Sequence, residues 1–139
     1  MEYRKFNDKY VVRLDKEEEV IDKITELCKL ENITLGTVSA LGATDYIKIG
    51  LYDVNAKEYI STIMEEPMEI TSLIGNISTM NNEIYLHLHI NVSDRNMNVK
   101  GGHLNECRIS ATCEIIISKI DGNIDRVKAE EIGLNLYKF

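Results

Sequence analysis

Period-two alternation is the strongest pattern along this chain. From 84 to 92 the residues run Ile-Tyr-Leu-His-Leu-His-Ile-Asn-Val. Ile84, Leu86, Leu88, Ile90 and Val92 therefore fall on one face of an extended strand, and Tyr85, His87, His89 and Asn91 on the other. Strands are also read over KYVVRL (9–14), DYIKIGLYD (45–53), EYISTIM (58–64), MEITSLIGNIS (68–78) and the long stretch GGHLNECRISATCEIIISKI (101–120). ITLGTVSALG (33–42) reads as strand-like, with Gly36 and Gly42 as breaks or bulges. One segment follows a different period. Val20, Ile21, Ile24, Leu27 and Cys28 form a helical apolar stripe. Asp15 and Glu18 have capping-box spacing, and Glu17, Glu18 and Glu19 put negative charge at the positive helix end. The spacing predicts a helix from about 16 to 30, packed by one face on a sheet. The tail IDRVKAEEIGLNLYKF reads as a loop or helical turn and a final strand. One main helix and six to eight strands joined by short turns predict an α+β fold with a mostly antiparallel sheet. The length predicts one domain spanning 1–139.

Composition narrows the function classes. No apolar run approaches the ~20 residues of a membrane span. The start, MEYRKFNDKYVV, has no apolar signal-peptide region, so the cytoplasm is the expected location. Cys28, Cys107 and Cys113 lack CxxC spacing and sit in apolar-patterned segments. They are expected to be reduced and buried. The net charge is −7, and the 16 Lys and Arg are scattered. That balance argues against sequence-independent nucleic-acid binding, which needs concentrated phosphate neutralisation, and leaves a local patch or an assembled oligomer as routes to it.

The candidate chemistry is histidine. The chain has three, His87, His89 and His103. On a strand, His87 and His89 share a face with Cα atoms roughly 6.5–7 Å apart. SDRNMN (93–98) has turn chemistry, so the chain is expected to return antiparallel and bring His103 back toward them. Gly101 and Gly102 remove side chains beside His103 and permit a bulge or unusual φ. Three neutral imidazoles would hold a zinc-type ion and leave a fourth position for water or a small ligand. Asp94 and Glu106 are the nearest carboxylates, candidates to orient a ligand imidazole or act as a base toward bound water. Ordinary packing of two polar histidines on a solvent face is the competing reading.

The ordered set EPMEITSLIGNIS (66–78), YLHLHINVSD (85–94) and GGHLNECRISATCEIII (101–117) resembles the plant-and-prokaryote conserved (PPC) domain. The likeness extends back through YVVRLDKEEEVIDKIT and GTVSALGA and forward to EEIGLNLYKF. The resemblance implies an α/β-type fold with a mostly antiparallel sheet, a homotrimer, and a divalent-metal cluster at His87, His89 and His103, with zinc the first choice. It also implies DNA binding, or contacts with another regulatory protein as in plant members attached to an AT-hook. This chain lacks the Arg-Gly-Arg-Pro AT-hook core. Of the plant Gly-Arg-Phe-Glu-Ile motif it keeps only Glu69 and Ile70. Glu106-Cys107 stands where relatives often place a glycine between the two, which puts the position of Glu106 in question. The leading expectation is a stand-alone prokaryotic PPC module, binding or regulatory, with a three-histidine metal site. The alternatives are a metal-dependent hydrolase of a small substrate using an open zinc-type site, and histidines that merely line a subunit interface.

Overall fold

A computed structural model describes all 139 residues. The elements run β1 (Glu2–Phe6), β2 (Lys9–Asp15), α1 (Val20–Leu30), β3 (Gly36–Asp53), β4 (Glu58–Met64), β5 (Met68–Met80), β6 (Glu83–Ser93), β7 (Val99–Lys119), β8 (Arg126–Ala129) and β9 (Leu134–Tyr137). Strands β1 to β7 form one antiparallel sheet, and β8 and β9 form a separate hairpin. One helix beside a seven-stranded antiparallel sheet is the α+β architecture that the alternation predicts.

The two longest strands change neighbours along their length. β7 pairs with β2 through 112–118, with β6 through 99–103, and with β3 over most of its span. β3 in turn pairs with β5 through 36–44 and with β4 through 47–53. The hydrogen-bonded path β7–β3–β5–β6 thus returns to β7, so the sheet closes on itself as a small barrel. Closure needs bent strands. Register shifts in β3 between Ala40 and Gly42, Gly42 and Thr44, Thr44 and Tyr46, and Lys48 and Ile49 supply the bends. These bulges explain why two short pieces were expected where one 18-residue strand runs.

The inward faces fill the barrel. Leu73 and Ile77 of β5, Leu88 and Ile90 of β6, and Ile109 and Ile115 of β7 are all buried. α1 adds Val20, Ile24, Leu27 and Cys28, the predicted stripe. Its start is later than predicted. Glu18 accepts hydrogen bonds from the Asp15 amide (2.9 Å) and the N-terminal ammonium, so the Asp15–Glu18 box closes a turn with Glu17 at φ 74°. Glu19 is the N-cap instead, accepting from the amides of Asp22 (2.7 Å) and Cys107 (2.9 Å), which ties the helix to β7.

Two elements escaped the sequence pattern. β1 is a largely exposed edge strand without apolar alternation, joined to β2 through Asn7 at φ 55°. The tail forms a β8–β9 hairpin rather than a loop and one strand. All three cysteines are free and buried, and burial pushes each thiol pKa up to about 12. No helix is long and apolar enough to cross a membrane.

Candidate metal centre

The three histidines meet on the outer face of the barrel. Leu88 and Ile90 point inward, so His87 and His89 point out. The 94–98 turn sets the return register. Asp94 accepts from the amides of Asn96 (2.8 Å) and Asn98 (3.0 Å), and Met97 takes φ 64°. Strand β7 then pairs Val99 with Ser93 and His103 with His89. His103 is thereby directly opposite His89 and diagonal to His87. Ring centroids lie 5.1 Å (His87–His89), 5.3 Å (His87–His103) and 5.6 Å (His89–His103) apart.

On its other side His103 faces Gly50 of β3. The Tyr59 ring lies so close over Gly50 that a Cβ there would sit 2.6 Å from it. Tyr59 meets His103 edge-on at 6.3 Å and donates its hydroxyl to Asn105 (2.6 Å). A Cβ on Gly102 would stand 2.8 Å from the Gly50 carbonyl oxygen, so close strand approach explains that glycine. The bulge or unusual φ that Gly101 and Gly102 permit is not used. β6 and β7 pair in unbroken register through them, and neither has positive φ.

The three ligand atoms lie within 4.8 Å of one another. Bonds of about 2.0–2.1 Å in a tetrahedral site place ligands roughly 3.3 Å apart, a closure that small side-chain rotations provide. None of the three imidazoles is committed to a hydrogen bond with another protein group. Burial lowers the pKa of His87, with His103, His89 and Arg126 adding to the effect. Burial and His89 lower that of His103. Both effects favour the neutral imidazole that binds metal. His87, His89 and His103 fit a divalent ion, which would supply a Lewis-acid position open to an oxygen ligand.

Asp94 and Glu106 do not join this cluster. Asp94 is spent on its turn, and the Asn98 and Asn96 amides hold its pKa down. Glu106 lies three residues beyond His103, roughly 10 Å along the strand. It accepts from Tyr46 (3.1 Å) and Lys48 (3.2 Å). Register and local hydrogen bonds thus engage both carboxylates away from the three imidazoles. Residues that the sequence pattern did not flag occupy the space instead. A cavity of about 570 Å³ beside the histidines is lined by Tyr52 and Tyr59, by Tyr85, and by Arg126 and Tyr137 of the β8–β9 hairpin. The only sequence hint of this roof is the short alternation Leu134-Asn135-Leu136-Tyr137.

Proteins of known structure share this fold. A candidate DNA-binding protein from Bacteroides thetaiotaomicron shares 31% identity at a TM-score of 0.97, over 99% of this chain and 96% of its own. A metal-containing protein from Archaeoglobus fulgidus shares 31% identity at a TM-score of 0.89, over 99% and 96%. A plant- and prokaryote-conserved (PPC) protein from Pyrococcus horikoshii shares 27% identity at a TM-score of 0.86, over 99% and 94%. No curated protein matches the chain. The Plants and Prokaryotes Conserved (PCC) domain profile matches residues 1–121. The chain belongs to the Plants and Prokaryotes Conserved domain family.

Proposed function

We propose that this chain is a single-domain, homotrimeric binding or regulatory module of the cytoplasm whose working centre is a zinc-type ion on His87, His89 and His103. The observation that carries the reading is the convergence of three uncommitted imidazoles from one chain within 4.8 Å. The metal-containing Archaeoglobus relative supports it. Zinc titration of dialysed protein by calorimetry tests it, with one ion per chain expected at pH 7.5. The unperturbed histidine pKa is about 6.5. His87 and His103 lie below their ordinary value, so they stay neutral further down the pH scale. Zinc affinity should hold near pH 7 and fall as pH drops below that ordinary histidine value, where protons displace the ion. Unchanged affinity at pH 5 would contradict histidine ligation.

Self-association is supported by an apolar row on the outer sheet face. Val11 pairs with Ile116, and Ile116 and Ile74 both pair with Ser39. Val11, Ile74 and Ile116 are exposed, as are Leu41 and Phe6 beside them. The same row continues from Ile74 to His89 and His103, so copies covering it would stand next to the metal centre. Sedimentation equilibrium should give three times the chain mass, and a clean monomer at micromolar concentration would contradict the trimer.

DNA binding, suggested by the Bacteroides relative, is the part of the reading that charge opposes. The net charge is −7 per chain, hence −21 for three chains, and such a field slows encounter with phosphate. Fluorescence anisotropy with random duplex should show binding no tighter than the non-specific range of about 10⁻⁴–10⁻⁶ M at ~150 mM salt. Sub-micromolar binding would restore DNA as the partner.

A further inference from the structure

The β8–β9 hairpin brings an unbalanced cation to the histidine cavity. Arg126 is 7% exposed. Its guanidinium is packed between Tyr85, 4.7 Å from the ring centroid, and Tyr137, at 4.3 Å. Nε donates to Ser78 Oγ (2.8 Å), and one terminal nitrogen donates to the Asn135 carbonyl (2.8 Å). These bonds use two of five donors. No Asp or Glu pairs with Arg126, and none lines the cavity, in a chain with 23 acidic residues. No fully buried side-chain nitrogen or oxygen is left without a partner, so the remaining guanidinium nitrogen is accessible, in a residue that lines the cavity. A buried charge favours an opposite charge beside it, and here the protein supplies rings and neutral acceptors but no anion. A divalent ion on three neutral imidazoles would add two more positive charges to the same space.

We propose that this cavity takes a small organic carboxylate, held by Arg126 and directed at the histidine-bound ion, with its apolar body against Tyr52, Tyr59 and Leu136. This rests on the metal reading above. The planar guanidinium fork matches a carboxylate. The volume of about 570 Å³ suits a small organic molecule, since such pockets span about 300–1,000 Å³. One guanidinium among tyrosine and leucine walls fits a singly charged acid with an apolar body better than a multiply charged phosphate. Arg126 lies beyond the family-matched segment 1–121, so the family assignment does not supply this residue.

Calorimetry on the zinc-loaded full chain tests the proposal with benzoate, neutral benzamide and inorganic phosphate as probes. Benzoate should bind about 10-fold or more tightly than benzamide, and Arg126→Met should weaken that preference, leaving only the part the ion supplies, while still taking up one zinc per chain. Benzoate no better than benzamide on a zinc-loaded chain, or phosphate binding more tightly, would overturn the carboxylate and leave the metal reading standing. Wild type that takes up no zinc would overturn both. If Arg126→Met does not fold, a crystal of wild type soaked with 4-bromobenzoate decides. A bromine anomalous peak in the cavity near Arg126 is expected, and its absence there overturns the proposal.

Discussion

Replacing His89 with alanine should abolish zinc retention and leave the fold intact. His89 is central to the cluster: it shares a strand face with His87 and stands directly opposite His103. Without it two imidazoles remain, too few for a stable site. The loss should exceed the about 10–100-fold seen when only an outer-shell partner of a ligand is removed. Stability of the metal-free protein should change by no more than about 0.5 kcal/mol, because the side chain is exposed and the backbone pairing to β5 and β7 is unaffected. Elemental analysis after zinc resupply and dialysis should read one zinc per wild-type chain and essentially none per variant. Equal metal in both would make the histidines packing residues.

Leu88→Ala, one residue away, should do the opposite. Leu88 is 1% exposed and points into the closed barrel. Its register partner is Gly75, and a Cβ there would stand 2.7 Å from a Leu88 methyl, so the leucine fills space that the glycine leaves. Truncation removes buried methyls and leaves a cavity between bent strands with little freedom to collapse. A loss of about 2–5 kcal/mol is expected by urea denaturation of the metal-free protein. That is a large share of the about 5–15 kcal/mol of a typical domain. Zinc at about 100 times its dissociation constant should return about 2.7 kcal/mol, since only the folded chain presents three converged imidazoles. A loss under 1 kcal/mol would mean that the inward and outward faces of β6 are misassigned.

Much of this contrast was legible from the sequence, because side-chain direction along a strand follows directly from position. The alternation at 84–92 separates Leu88 from His89 without any tertiary information. The place of His103 was not legible. It depends on how many residues the 94–98 turn consumes, and a one-residue slip would have turned the imidazole to the other face. The late helix start has a tertiary cause too, since the Asp15–Glu18 box is captured by the chain's own N-terminus and Glu19 bonds an amide 88 residues away. Arg126 is the instructive omission. It lies far along the chain from the histidines, and only the docking of β8–β9 over Ser78 and Tyr85 brings it to their cavity.

The resemblance to PPC domains implied the three histidines as ligands, and the structure shows why they could be. It also shows why Glu106 stands apart. β7 is shifted against β3 between Lys48 and Ile49, so Leu104 and Cys107 are both buried while Glu106 turns to Lys48 and Tyr46. The bulge breaks the period-two alternation between Leu104 and Cys107, but the sequence alone does not say which way Glu106 then turns. The nearest carboxylate in sequence was therefore a poor guide to the nearest in space.

If three imidazoles of one chain hold one divalent ion, anomalous diffraction at the zinc edge from crystals of zinc-resupplied wild type will locate it. One peak per chain is expected, about 2.0–2.1 Å from a nitrogen of each of His87, His89 and His103. No peak there, or a peak that takes its protein ligands from other residues, would contradict three-histidine ligation.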